Sequence, residues 1–114
     1  MDEAMTEREI QKAILEYLGY EEKLGRVWGV RVNSGMVKSG KRFIHLGRAG
    51  TPDILCCIRG RFVGFEVKNE KGKQEQTQKE AQLGIERAGG RYLIVRSVRD
   101  VERAVGLLTG EHLD

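Results

Sequence analysis

The feature that most constrains the fold of this chain is a pair of largely apolar segments separated by a two-residue turn. The segments are Asp53–Ile58 and Arg61–Lys68, and the turn between them is Arg59-Gly60. A turn of this length containing glycine is typical of an antiparallel hairpin. It pairs the two residues that flank the turn and, further along, places Asp53 opposite Glu66 on one face of the sheet. Their Cβ atoms then lie about 4.5–5.5 Å apart.

The residues brought together by this hairpin have the chemistry of a metal site. Alternation along the second strand puts Lys68 on the same face as Glu66. Two neighbouring carboxylates repel each other unless a cation lies between them, and Mg²⁺ and Mn²⁺ prefer oxygen ligands and bind substrate phosphates. An ammonium group beside such an ion can orient attacking water or stabilise the charge of a transition state. The alternative is that Glu66 and Lys68 lie on the surface of an edge strand and Asp53 is a turn residue; the spacing alone leaves both readings open.

A third acidic candidate comes from the first predicted helix, Thr6–Leu18. Its apolar stripe contains Ile10 and Ile14, and Glu7 lies on that stripe. Glu9 lies about half a turn away and is predicted to form a capping box with Thr6. Glu7 is therefore the candidate that points inward. The alternative is that it only complements the helix dipole, as acids in a first turn often do.

Gln78 is a second helical candidate. It lies on the predicted helix Glu75–Ala88, on the stripe that contains Ala81 and Ile85. A buried amide needs a hydrogen-bond partner, so we expect Gln78 to contact a site carboxylate, Lys68 or a phosphate. The alternative is an ordinary glutamine on a helix surface.

The remaining periodicities predict an α/β fold with an αβββαβ core, a mixed sheet flanked by helices, and an additional C-terminal helix. Residues 1–114 are expected to form a single domain, because no linker or repeat interrupts the chain. Cys56 and Cys57 are predicted to be core thiols. The predicted elements are helix Thr6–Leu18, strand Val27–Asn33, a glycine-rich basic loop, strands Asp53–Ile58 and Arg61–Lys68, helix Glu75–Ala88, strand Arg91–Val95 and helix Ser97–Leu108.

Basic residues lie on both sides of the predicted site. The net charge is only +3, so their location matters more than their number. One group precedes Asp53 and the other follows Lys68, where they are predicted to contact DNA phosphates without reading sequence. The alternative is a set of solvated loop cations. The first group is Lys38, Lys41, Arg42, His45 and Arg48, and the second is Lys71 and Lys73.

Several of these motifs resemble those of a known nuclease group. Pro52-Asp53 followed by Glu66-Val67-Lys68 resembles the signature of the PD-(D/E)xK nuclease superfamily. The fuller Gly50-Thr51-Pro52-Asp53, the N-terminal Glu7-Arg8-Glu9-Ile10-Gln11 and the downstream Gln78 resemble its VRR-NUC family of virus-type replication and repair nucleases. The resemblance extends from about Thr6 to Val95.

The resemblance implies a restriction-endonuclease-like fold and hydrolysis of DNA phosphodiesters that depends on Mg²⁺ or Mn²⁺. The implied catalytic residues are Glu7, Asp53, Glu66, Lys68 and Gln78. The implied metal ligands are Asp53, Glu66 and Glu7, and the hairpin register adds the Val67 carbonyl. Small members of the family resemble Holliday-junction resolvases, which implies a homodimer acting on branched DNA such as four-way junctions or flaps. A catalytically inactive DNA-binding module and a metal-dependent RNase are the alternatives.

Two further expectations concern surface and location. Leu83 and the final helix, with Val101, Val105 and Leu108, are predicted to provide apolar surface for a dimer. The chain has no apolar run resembling a signal peptide or a membrane span, so a soluble, cytoplasmic protein is expected.

Overall fold

The order of helices and strands largely follows the prediction from the sequence. The computed structural model describes residues 4–33 and 35–110, with the backbone alone at 35, 36, 45 and 46. No helix within these ranges is long and apolar enough to cross a membrane. The elements are α1 (Glu7–Lys23), β1 (Val27–Arg31), β2 (Gly35–Ser39), β3 (Arg42–Leu46), β4 (Ile54–Ile58), β5 (Arg61–Val67), α2 (Gln76–Arg87), β6 (Arg91–Val95) and α3 (Val98–Thr109).

A four-stranded mixed sheet with the order β1-β4-β5-β6 forms the centre of the fold. β4 pairs antiparallel with β1 and β5, whereas β5 and β6 are parallel. α1 and α3 pack against one face and bury the core there, and α2 lies over the other face. The predicted α/β fold with a mixed sheet and a C-terminal helix is confirmed.

The hairpin of β4 and β5 has the predicted register. Arg59 and Gly60 both have positive φ angles, +53° and +78°, as a type I′ turn requires. Ile58 pairs with Arg61, and Ile54 at the other end of β4 pairs with Phe65. The next residues in this register are Asp53 and Glu66, which therefore share a face.

Helix α1 begins as predicted and ends later. The Thr6 hydroxyl accepts a hydrogen bond from the Glu9 backbone N–H at 3.1 Å, and the Glu9 carboxylate accepts one from the Thr6 N–H at 3.1 Å. This is the predicted capping box. The helix continues to Lys23 rather than ending at Leu18, and its last turn contains buried Glu21, which pairs with Arg26 at 2.7 Å. That ion pair depends on a contact five residues apart and is not visible in the apolar periodicity.

The predicted glycine-rich loop is instead a second hairpin, formed by β2 and β3. Its two-residue turn is Gly40-Lys41, with Gly40 at a φ of +61°, the conformation that the first position of a type II′ turn needs. The sequence does not predict this hairpin because neither strand shows a clear alternation of apolar and polar residues.

Burial corrects two further predictions. Cys56 lies in the core, but Cys57 is exposed because it points to the opposite, partly open face of the sheet. Val101 and Val105 of α3 are fully buried against α1 and the sheet, so they cannot provide surface for a dimer. Leu83 is exposed, as predicted.

Candidate active site

Asp53 is held at the end of β4 by contacts to both neighbouring strands. Its carbonyl accepts a hydrogen bond from the Val32 N–H at 2.8 Å, and its carboxylate Oδ2 accepts one from the Val67 N–H at 2.8 Å. Pro52 packs directly over Gly64 of β5, where a Cβ would lie 2.5 Å from the proline Cγ. The absence of a side chain at Gly64 therefore lets the Pro52-Asp53 segment lie flat against β5 and fixes the aspartate.

Glu66 is buried, with 4% of its surface exposed, and lies beside Asp53. Its Oε2 accepts a hydrogen bond from Gln78 Nε2 at 3.1 Å and lies 3.6 Å from Lys68 Nζ. Its Oε1 is buried with no hydrogen-bond partner among the described residues. Burial, and then repulsion by Asp53, raise the pKa of Glu66 to about 8, although the Lys68 ammonium opposes the shift.

Lys68 is also buried, with its side chain 9% exposed. Its backbone N–H donates to the Val95 carbonyl at 3.0 Å, which continues the ladder between β5 and β6. The side-chain stem passes close to Gly72, where a Cβ would lie 3.1 Å from Lys68 Cδ. The ammonium is thus held beside Glu66 by a buried stem that passes Gly72.

Glu7 lies on the Lys68 side of the site. Its Oε2 accepts a hydrogen bond from the Asn69 N–H at 3.4 Å, and a Cβ at Gly72 would lie 2.8 Å from the same oxygen. In the described ranges no three His, Cys, Asp or Glu side chains converge as a metal group. Glu7 therefore contacts the loop after Lys68 and does not complete a three-carboxylate cluster with the Asp53–Glu66 pair, so its predicted metal ligation has no geometric support here.

Sequence reasoning missed two residues that border the site. Arg96 Nη1 donates to the carbonyls of Asn69 and Gly72 at 2.6 and 2.9 Å and so fixes the loop beside Glu7. The Tyr92 hydroxyl is buried with no hydrogen-bond partner among the described residues, and burial followed by the Glu66 charge raises its pKa. Tyr92 lies on β6 and Arg96 directly follows it, and no short turn reveals the parallel register of this strand.

The donor set fits a hard divalent cation. The Asp53 and Glu66 carboxylates are adjacent, and the unpartnered Glu66 Oε1 is a buried oxygen that a cation would satisfy. The pair includes no thiol or imidazole, so it matches Mg²⁺ or Mn²⁺, which retain waters, better than a structural zinc site. Val67 follows Glu66 directly, so its carbonyl remains a predicted extra ligand.

A comparison with solved structures identifies the architecture around this site. A structure described as a VRR_NUC domain matches 89% of this chain and 96% of its own length, with a TM-score of 0.58 and 23% sequence identity. This chain has the fold of a VRR_NUC domain. No protein-family model and no curated protein matches the sequence. The VRR_NUC fold agrees with the resemblance seen in the sequence motifs.

Within this VRR_NUC fold, helix α2 lies over a groove instead of closing onto the sheet. None of its residues is buried, and of its predicted inward stripe Ala81 and Ile85 are half-buried and Ala88 is exposed. A groove of about 650 Å³ runs between α2 and the sheet and is bordered near the site by Arg48 and Thr51. Gln78 lies in the first turn of this helix, where its side chain also accepts from the Glu75 N–H at 2.8 Å.

Every predicted DNA-binding residue whose side chain the structure describes is exposed. Lys38, Lys41 and Arg42 lie on the β2–β3 hairpin, and Arg48 lies between that hairpin and Asp53. Lys71 and Lys73 lie in the loop between β5 and α2. The side chain of His45 lies outside the described residues.

Proposed function

We propose that this chain is a metal-dependent DNA nuclease that hydrolyses phosphodiester bonds in branched duplex, such as Holliday junctions or flaps. Mg²⁺ or Mn²⁺ is the proposed cofactor and a homodimer the proposed working unit. The observation that carries the proposal is the adjacent pair Asp53 and Glu66 with an unpartnered buried oxygen and the Lys68 ammonium 3.6 Å away. The VRR_NUC fold supports the same class of activity.

Each site residue has a distinct role in this proposal. Asp53 and Glu66 hold the cation, which when bound supplies activation of water and neutralises charge on the phosphoryl group. Gln78 donates a hydrogen bond to Glu66 Oε2 and leaves Oε1 free to bind the ion. Lys68 orients the attacking water or stabilises the developing negative charge, and its burial strengthens that electrostatic effect.

The charge distribution supports a nucleic acid as the substrate. From Lys23 to Pro52 the sequence contains basic residues and no Asp or Glu. This segment leads directly to Asp53, so a phosphate backbone bound along it would pass the carboxylate pair. Contacts of this kind fix the position of a duplex without reading its sequence.

A cleavage assay on matched substrates tests the proposal. The substrates are a linear duplex, a flap, a four-way junction and an RNA of equal length, each with Mg²⁺, Mn²⁺ or EDTA. We expect cleavage of the branched DNAs with either ion and none with EDTA. Preferred cleavage of RNA would favour the RNase alternative, and DNA binding without cleavage under any condition would favour the inactive binding module.

A further inference from the structure

The β2–β3 hairpin exposes an aromatic side chain next to a cation. All the side chains described in it, from Val37 to Ile44, are exposed, and Phe43 is 66% exposed. Lys38 is the direct cross-strand partner of Phe43, so the two share one face of the ribbon with Cβ atoms about 4.5–5.5 Å apart. Val37 and Ile44, which pair on the other face of the ribbon, are also about half exposed, so the hairpin exposes a cluster of large apolar side chains, as interaction surfaces do, and not a single one.

The base of the hairpin lies beside the candidate active site. β2 follows the end of β1, where the Val32 N–H bonds to the Asp53 carbonyl. β3 is followed by the short segment 47–52, which ends at Asp53. Five-residue strands rise about 17 Å, so the whole hairpin lies within a few nucleotides of the site to which its base is joined at both ends.

The charge of the hairpin selects its ligand. Gly35–Leu46 contains Lys38, Lys41 and Arg42 and no acidic residue. None of these three forms an ion pair with another residue in the described part of the chain. A second copy of the same cationic hairpin would repel it, so the complementary partner is an anion that also carries a flat apolar surface.

We propose that Phe43 and Lys38 form a nucleotide-binding patch, in which Phe43 stacks on an unpaired DNA base at a branch and Lys38 contacts the adjoining phosphate. The inference rests on the proposed nuclease function and adds the feature of the substrate that is recognised. Bases in a duplex are already stacked on their neighbours, whereas a base at a branch point has a free face. Stacking on an aromatic side chain tolerates any base, so the patch reads strand structure and not sequence.

Binding measurements on the full chain in EDTA, where metal-dependent cleavage does not interfere, test the patch. The probes are a flap with 2-aminopurine at the first unpaired position and a linear duplex of equal length. For Phe43→Ala we expect about 10-fold weaker flap binding and duplex binding within about twofold of the unmodified chain. The quenching of 2-aminopurine by the unmodified chain should be lost in this variant and retained in Phe43→Tyr.

Tyr20→Ala is the matched control, since Tyr20 is an aromatic side chain of similar exposure, 70%, but lies near the end of α1, away from the hairpin and the candidate site. It should leave the flap preference unchanged. The proposal is overturned if Phe43→Ala binds the flap as tightly as the unmodified chain, or if it loses flap and duplex binding equally.

Cleavage in Mg²⁺ separates this inference from the proposed function. Intact flap cleavage by the unmodified chain, with no change in Phe43→Ala in binding or quenching, would reject the patch and leave the nuclease standing. Selective loss of flap binding, with no cleavage by the unmodified chain under any metal condition, would support the patch and reject the nuclease. Failure of the unmodified chain to bind any DNA would reject both.

Discussion

At the residue scale, Glu66 links the proposed metal site to stability. Its pKa of about 8 lies above the ordinary value of 4.5, mainly because the carboxyl is buried and then because Asp53 is close. A proton on Glu66 therefore stabilises the folded state. That contribution is fully present below about pH 4.5 and is lost as pH rises through about 8.

Because the proton on Glu66 stabilises the folded state, the effect of a divalent metal on the melting temperature should depend on pH. Without divalent ions, the melting temperature of the unmodified chain should fall between pH 5 and pH 8.5 more steeply than that of Glu66→Gln. Because the cation replaces the proton, Mg²⁺ should raise the melting temperature more at pH 8 than at pH 6. Thermal denaturation with Mg²⁺ or EDTA measures both effects. Parallel pH curves for the two proteins would contradict the assignment.

The two acids of the first helical turn should differ in their effect on activity. Glu7 contacts the loop beside Lys68, whereas Glu9 closes the capping box with Thr6. We expect Glu7→Gln to reduce the cleavage rate at least several-fold, with little change in melting temperature. Glu9→Gln keeps an oxygen that can accept the Thr6 N–H, so it should change neither the cleavage rate nor the melting temperature appreciably. Equal cleavage rates for Glu7→Gln and the unmodified chain would show that Glu7 has no role in cleavage.

At the element scale, the basic hairpin is predicted to supply the general affinity for DNA. Lys41 and Arg42 lie at its tip and are fully available to phosphates. Replacing both with alanine should weaken binding to linear and branched DNA alike and reduce the log–log salt slope by about 0.9 for each lost phosphate contact. Fluorescence anisotropy over a range of salt concentrations measures this slope. An unchanged slope would mean that the tip is solvated in the complex.

The two hairpins show what the sequence can and cannot predict about elements. The β4–β5 register is predictable because Arg59-Gly60 separates two apolar segments and fixes every pair between them, including the positions of Asp53 and Glu66. The sequence predicts a loop where the β2–β3 hairpin lies, because the exposed faces of that hairpin give no period-two signal. The contacts of Tyr92 and Arg96 depend on the parallel pairing of β5 with β6, which joins strands separated by α2 and is not fixed by a local turn.

At the scale of the whole molecule, the surface available for a dimer keeps the predicted Leu83 but not Val101 and Val105. With Val101 and Val105 buried, the exposed apolar side chains include a row across three adjacent strands, formed by Trp28, Cys57 and Phe62. This row lies on the sheet face that also carries the α2 groove. Trp28 is 59% exposed, whereas Phe62 at the other end of the row is 43% exposed and borders the α2 groove.

A homodimer is expected to use this face, because symmetric cutting of two strands requires two sites related by a two-fold axis. Light scattering should give the mass of a dimer, and Trp28→Glu should shift it towards the monomer because a carboxylate is costly at a buried contact. Leu107→Glu is the control, since Leu107 is 80% exposed on α3, on the opposite side of the sheet. A monomer that still cuts four-way junctions symmetrically would contradict the two-fold arrangement.

The most direct test of the central claim is single-turnover cleavage of a branched DNA as Mg²⁺ is titrated, with the unmodified chain, Asp53→Asn and Glu66→Gln compared. These substitutions keep the side-chain shapes and remove the ligand charge, so all three proteins should fold and bind DNA. The account predicts that cleavage by the unmodified chain rises to saturation with Mg²⁺ and that both variants are at least about 100-fold slower at every concentration. Cleavage by either variant at the unmodified rate, or cleavage that persists in EDTA, would contradict it.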